Sequence, residues 1–302
     1  MKNTDFNGIL PKGSIVALIT PFDAYNNVDY KKLNQLIEWH INEGSDGIVI
    51  LGTTGESPTI SEKDKEEIVS FTAEKVNNRI FLIAGSGSND TSHAVCLSKK
   101  YQDYCDALLV ITPYYNKTNT QGMIKHFLTV ADAVNKPIIM YNVPSRTGCN
   151  IEYEACEQLK QHKNICAIKE ASGNISYSSK IATLLDDSFC MYSGNDDIVV
   201  PMLSLGAIGV ISVWANLTPR VCANLVRDYF KGDTQKALKI QLKYLNLINL
   251  LFKETNPIPV KAALNYLGVN VGQCRLPLYQ ISDTAAKPLF DEIDRLKIEV
   301  IL

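Results

Sequence analysis

The groups in this chain best equipped for chemistry are a lysine, a set of tyrosines, a pair of adjacent threonines and an arginine. Lys169 closes the apolar run Ile165-Cys166-Ala167-Ile168. An ammonium taken out of water there needs a partner or loses its proton. The run by itself allows two outcomes, a strand end where the lysine reaches solvent or a buried amine. Free lysine is neutral in only ~1 molecule in 2,500 at pH 7, so a desolvated position is what turns the amine into a nucleophile that forms an imine with a carbonyl. Tyrosine hydroxyls suit proton delivery to the carbinolamine oxygen, and a threonine hydroxyl can link one tyrosine to another. Arg146 offers the planar fork that grips a carboxylate through two hydrogen bonds.

These groups matter only if one scaffold brings them together. Short apolar runs of strand type fall at 14–20, 47–51, 80–84, 107–112, 137–141, 165–169, 189–193 and 208–213. Each is followed by a segment with helical spacing, and the pair recurs about every 25–30 residues. The first helix, 29–42, has its stripe at Leu33, Leu36, Ile37 and Ile41, and Ser61 caps the second at 61–76. Others are expected at 91–104, 120–134, 152–162, 176–185, 197–205 and 219–231, the last with Thr218 as its cap and Pro219 in its first turn. Eight such units in about 230 residues predict an α/β chain folded as a (β/α)8 TIM barrel. A doubly wound sheet would carry a Gly-rich turn after its first strand, whereas here that strand ends in Thr20-Pro21-Phe22. Beyond Gly232 come helices without strands, at 234–252, 260–267 and 283–296, the first two separated by Asn256-Pro257-Ile258-Pro259. Residues 1–232 are therefore expected to form the catalytic barrel and 233–302 a three-helix C-terminal appendage.

Barrel enzymes place their chemistry at the C-terminal ends of the strands. Those ends read Gly52-Thr53-Thr54-Gly55-Glu56, Gly85-Ser86-Gly87, Thr112-Pro113-Tyr114-Tyr115-Asn116, Tyr141-Asn142-Val143-Pro144-Ser145-Arg146-Thr147-Gly148, Lys169-Glu170 and Ser193-Gly194-Asn195-Asp196. Taken singly, each has an ordinary reading. Gly-Thr-Thr-Gly is a tight turn, the tyrosines are core or interface aromatics, Arg146 is a surface ion-pair partner, and Asp196-Asp197 opens a helix. Glu170 reads as a structural or solvated neighbour of the lysine. Their shared placement at one mouth favours imine chemistry.

Composition excludes other classes. Thirty basic against 32 acidic residues, net charge −2, leave no nucleic-acid footprint. No signal or membrane segment is evident, so a cytoplasmic protein is expected. Eight scattered cysteines without a Cys-x-x-Cys pair predict reduced thiols and no structural metal. His40, His93, His126 and His162 fall in predicted helices or the turns after them, and are expected on the surface.

Gly52-Thr53-Thr54-Gly55-Glu56, Tyr141 to Gly148 and Lys169, with Ser193-Gly194 and Gly209-Val210-Ile211-Ser212-Val213, resemble the dihydrodipicolinate synthase family. That family belongs to the pyruvate-dependent class I aldolases of the N-acetylneuraminate lyase superfamily. The resemblance covers nearly the whole chain. It implies condensation of pyruvate with L-aspartate 4-semialdehyde to 4-hydroxy-tetrahydrodipicolinate, on the diaminopimelate route to lysine. Lys169 would form the imine with pyruvate, and Tyr141 would move protons and hold the pyruvate. Thr54 would link Tyr141 to Tyr115, a residue that in the family reaches the neighbouring subunit's site. Thr53 and Thr54 would bind the pyruvate carboxylate, Arg146 the carboxylate of the semialdehyde, and the Gly194 and Ile211 carbonyls would line the site. The resemblance further implies a homotetramer built as a dimer of dimers, with no metal or organic cofactor.

At the family's lysine-feedback site, Ser57, Asn89 and Tyr114 match. Lys65 stands where lysine-inhibited members have histidine, and His93 where they have glutamate. That exchange implies weak or absent feedback, since a cation at 65 repels a bound ammonium. Two rival readings stay open: a sialic acid or 2-keto-3-deoxy sugar acid lyase of the same superfamily, and a non-catalytic barrel that binds carboxylates.

Overall fold

The computed structural model describes residues 10–302. Valine-, isoleucine- and leucine-rich runs, buried on both faces, form strands of a parallel sheet. They are β1 Gly13–Ala17, β2 Gly47–Ile50, β3 Phe81–Gly85, β4 Ala107–Ile111, β5 Ile138–Asn142, β6 Ile165–Glu170, β7 Cys190–Ser193 and β8 Gly209–Ser212. Each pairs with the next and β8 closes on β1, which confirms the expected closed barrel. Closure rests on a backbone approach that only glycine permits. A Cβ on Gly209 would lie 1.9 Å from the Gly13 carbonyl oxygen.

The helices are α1 Tyr30–Asn42, α2 Glu62–Val76, α3 Thr91–Tyr101, α4 Thr120–Asp132, α5 Pro144–Thr147, α6 Tyr153–Leu159, α7 Ile175–Ala182, α8 Val199–Ser204, α9 Pro219–Phe230, α10 Thr234–Leu251, α11 Ile258–Tyr266 and α12 Asp283–Leu296. Short polar side chains start many of them by accepting a backbone N–H. Asp29 accepts from Lys32, Ser61 from Asp64 and Asn119 from Gly122. Alternation along the strands divides the core in two. Ile15, Val49, Ile83, Leu109, Ile139 and Ala167 pack inside the barrel, while Val16, Ile48, Leu82, Leu108, Met140 and Ile168 pack outward beneath the helices. α10 lies along α9, and α12 packs on α10 and α11.

Several local expectations change. α5, which carries Arg146, was not anticipated by the helical spacing, being a single turn set up by Pro144 and ended by Gly148 at φ 71°. The segment expected as one helix at 197–205 is a 3₁₀ turn at Asp196–Ile198 followed by α8. Thr218 makes no side-chain capping bond. His40 and His126 are buried rather than surface residues. His40 continues the Leu33, Leu36, Ile37 stripe at helical spacing, and its Nδ1 lies 3.0 Å from Ser45 Oγ. Burial pushes its pKa down to about 3, and that of His126 down to about 4.

Between its folded value of about 3 and the ordinary 6.5, His40 is neutral in the fold and charged in the unfolded chain. Stability from this group is therefore lost as pH falls below 6.5, by about 1.4 kcal/mol per pH unit. In urea titrations from pH 7 to 4.5, His40→Gln is expected to show a shallower loss of stability with acid than the native chain, whatever its absolute stability.

Candidate active site

Lys169 owes its environment to its place on β6. It shares the inward face with Ala167, while Ile168 and Glu170 face the helices. The neighbouring strand is sorted the same way, with Tyr141 opposite Lys169 and Asn142 opposite Glu170. Lys169 is 5% exposed, and its Nζ stands 4.3 Å from the centre of the Tyr141 ring. Glu170 is buried outside the barrel. Its carboxylate accepts from Asn142 Nδ2 at 2.7 Å and from the Ser172 N–H at 2.8 Å, and burial raises its pKa. It is the structural neighbour, removed from the chemistry by the pleat.

Lys169 opens into a cavity of about 670 Å³. Thr54, Tyr141, Arg146, Gly194 and Asn195 line it, with Val213 after β8 and Phe252 to Asn256 from the C-terminal segment. A Cβ on Gly194 would lie 2.5 Å from Ala171 Cβ and 3.1 Å from Lys169 Cε, so glycine keeps the lysine stem unobstructed. Ile211 is buried in the layer of side chains inside the barrel. Asp196 is buried, and its Oδ2 accepts the N–H groups of Val213 and Trp214 at 2.9 and 2.8 Å, pinning the loop after β8. Burial outweighs those bonds and raises its pKa.

A second cavity of about 250 Å³ shares Tyr141 and Arg146 with the first. Its walls include Thr53, Ser57, Lys65, His93 and Tyr114. Lys65 Nζ lies 2.7 Å from Glu62 Oε1, and His93 Nε2 lies 3.5 Å from the same oxygen. Partial burial raises the pKa of Glu62, but Lys65 and His93 prevail and hold it below its ordinary range. Asn89 borders this region, its carbonyl accepting from Asn116 Nδ2 at 2.9 Å. Tyr115 stands apart from both cavities at 89% exposure, in the left-handed region at φ 69°. A bulky residue held there without burial signals a constraint other than packing in this chain.

The loop bearing Thr53 and Thr54 is fastened to the C-terminal helices by an ion pair with no sequence signature beyond a lysine in the apolar stretch Pro259-Val260-Lys261-Ala262-Ala263. Lys261 and Glu56 are both buried, Nζ to Oε1 2.8 Å. All three ammonium protons are used, since Nζ also donates to the carbonyls of Thr20 and Gln273 at 3.0 Å each. Burial lowers the Lys261 pKa, and Glu56 offsets part of that effect. Glu56 Oε2 accepts the Arg275 N–H at 2.8 Å. Asn256, read from sequence only as part of a helix break, donates from Nδ2 to Thr54 Oγ1 at 3.0 Å, and its carbonyl accepts from Arg146 Nη2 at 2.9 Å. Removing one partner of a buried pair strands the other charge. Lys261→Met is therefore expected to lower unfolding stability by about 3–5 kcal/mol in chemical denaturation, with Glu56→Gln/Lys261→Met recovering part of the loss.

Among the described residues, no group of three or more His, Cys, Asp or Glu is placed to hold a metal ion, and no helix is long and apolar enough to cross a membrane. All eight cysteines are free thiols.

Known proteins match both sequence and geometry. The model of the Dihydrodipicolinate synthetase family matches residues 10–295. The 4-hydroxy-tetrahydrodipicolinate synthase 1 of Clostridium acetobutylicum is 52% identical over 273 residues, which are 90% of this chain and 93% of that relative. The crystal structure of dihydrodipicolinate synthase from Aquifex aeolicus superposes with a TM-score of 0.93 at 41% identity, covering 96% of this chain and 100% of that one. The enzyme from Cyanidioschyzon merolae with lysine bound superposes with a TM-score of 0.90 at 37% identity, covering 93% of this chain and 97% of that one. With a family match spanning almost every described residue, this chain belongs to the dihydrodipicolinate synthetase family.

Proposed function

We propose that the chain is a 4-hydroxy-tetrahydrodipicolinate synthase, joining pyruvate to L-aspartate 4-semialdehyde through an imine on Lys169. The observation that carries this reading is the buried Lys169 Nζ over the Tyr141 ring in a cavity that also holds Thr54 and Arg146. Neutral Lys169 attacks the pyruvate ketone. Tyr141 delivers the proton that lets the carbinolamine oxygen leave as water, and the resulting imine loses a proton from the methyl carbon to become an enamine. That carbon bonds to the aldehyde carbon of the second substrate, whose oxygen takes up a proton. The substrate's own amine then adds to the imine carbon and displaces Lys169, closing the six-membered ring. The imine is itself the electron sink, so the reaction calls for neither metal nor organic cofactor.

Arg146 suits the second carboxylate, because its exposed guanidinium lines the mouth and its Nη2 is steadied by the Asn256 carbonyl. Thr53 and Thr54 hold the pyruvate carboxylate, and the carbonyls of Gly194 and Ile211 complete the wall. Tyr115 serves the site of a neighbouring copy, which accounts for its exposure and its left-handed backbone. A dimer follows from that role, and the family resemblance supports a tetramer built from two dimers and action in the cytoplasm. Asn256 and Lys261 of the C-terminal segment 233–302 contact Thr54 and Glu56 of the barrel.

Trapping tests the mechanism. Borohydride added with pyruvate is expected to leave a reduced adduct on the peptide containing Lys169, and an adduct elsewhere, or none, rejects the imine. The same protein should form product from pyruvate and aspartate semialdehyde in a coupled assay.

The second cavity is the proposed regulatory site, with Ser57, Asn89, His93 and Tyr114 around it. Lys65 lines this cavity and is paired with Glu62 at 2.7 Å. A free lysine would have to displace that contact or place two cations together. Lysine at micromolar concentration is accordingly expected to leave the coupled rate unchanged, and half-inhibition in that range contradicts this reading.

A further inference from the structure

Asn256 belongs to the C-terminal segment, yet it reaches two residues of the barrel mouth by different atoms. Its side-chain Nδ2 donates to Thr54 Oγ1 at 3.0 Å, whereas its main-chain carbonyl accepts from Arg146 Nη2 at 2.9 Å. The side chain is 5% exposed, and its Oδ1 is buried without a hydrogen-bond partner among the described residues. A buried amide that leaves its acceptor unsatisfied in order to hold a donor against a hydroxyl incurs a cost that the loop could avoid with an apolar residue.

The chemistry of that one bond is directional. An amide N–H can only donate, so the Thr54 hydroxyl accepts from Asn256 and keeps its own proton for another acceptor. A donor on Oγ1 also stabilises the negative charge that develops there as the proton moves on. We infer that Asn256 is a positioning residue that acts through Thr54, fixing the direction in which the threonine hydroxyl passes its proton to the tyrosines. The inference rests on the link through Thr54 between Tyr141 and Tyr115 that the family resemblance implies. Arg146 is served by the main chain of the same residue, so a side-chain substitution separates the two effects.

Asn256→Asp tests this with a side chain of the same shape in which an acceptor replaces the donor. Asn256→Ala provides a second variant, and both are also made on Thr54→Val. kcat and KM for each substrate are measured, with borohydride trapping of pyruvate on Lys169 confirming an intact site. The expected result is a fall in kcat of roughly tenfold or more for Asn256→Asp. KM for aspartate semialdehyde should stay within about twofold, and on Thr54→Val the Asn256 substitutions should change kcat by less than about twofold. If Thr54→Val lowers kcat and Asn256→Asp adds its full factor on top, the relay stands and the inference about Asn256 is overturned. A loss seen only in KM for the semialdehyde overturns it as well. If Thr54→Val leaves kcat unchanged, the relay itself fails and takes this inference with it.

Discussion

The mouth of the barrel depends on the buried pair between Glu56 and Lys261. Glu56 sits in the left-handed region at φ 56°, a conformation that costs a non-glycine residue on the order of 1–3 kcal/mol. Lys261 and the Arg275 N–H hold its two carboxylate oxygens at 2.8 Å each, so the loop has one position. Thr54 lies two residues away and inherits that position. With every proton of the ammonium engaged, the pair is satisfied as well as buried, and any other placement of the loop would leave a charge unpaired in the core. The C-terminal segment thus fastens the loop at the barrel mouth and does more than cover one side of the barrel.

The second determinant is the pleat. Lys169 and Glu170 are adjacent and oppositely charged, yet the alternation of a strand sends one inward and the other out beneath the helices. Pairing of β5 with β6 repeats the sorting, with Tyr141 beside Lys169 inside and Asn142 beside Glu170 outside. A slip of one residue would put the carboxylate in the site and the amine against the helices. The outward pair forms its own hydrogen bond, Asn142 Nδ2 to Glu170, which favours the observed register.

Much of this was legible because it depends on period and spacing. Eight apolar runs, each followed by a helical stripe, predict a barrel, and a barrel predicts which residues meet at its mouth. Lys169, Tyr141, Thr54 and Arg146 do meet there, and the structure adds Ile211 to the inner layer. The histidines show where such reading stops. His40 continues an apolar stripe and is buried, but its polarity alone suggested a surface residue. The helix bearing Arg146 is a single turn, too short for periodicity to register. Asn256 and Lys261 were invisible for a different reason, since their partners are 202 and 205 residues away and no local pattern encodes such contacts.

By itself, then, the sequence determined the barrel, the identity of the lysine and its tyrosine, and the departure at Lys65 and His93 from the lysine-feedback pattern. The barrel and the residues at its mouth follow from hydrophobic periodicity and residue type, which are local properties, and the departure is what the family resemblance implies. The tertiary structure alone decided that Lys65 neutralises itself on Glu62, that Tyr115 stands in solvent, and that residues beyond the barrel hold Thr54 and Arg146. The contacts of Asn256 depend on distances between segments far apart in the chain, set by closure of the sheet and the docking of the C-terminal segment, whereas the Lys65–Glu62 pair lies within one turn of α2 and needed only the side-chain positions.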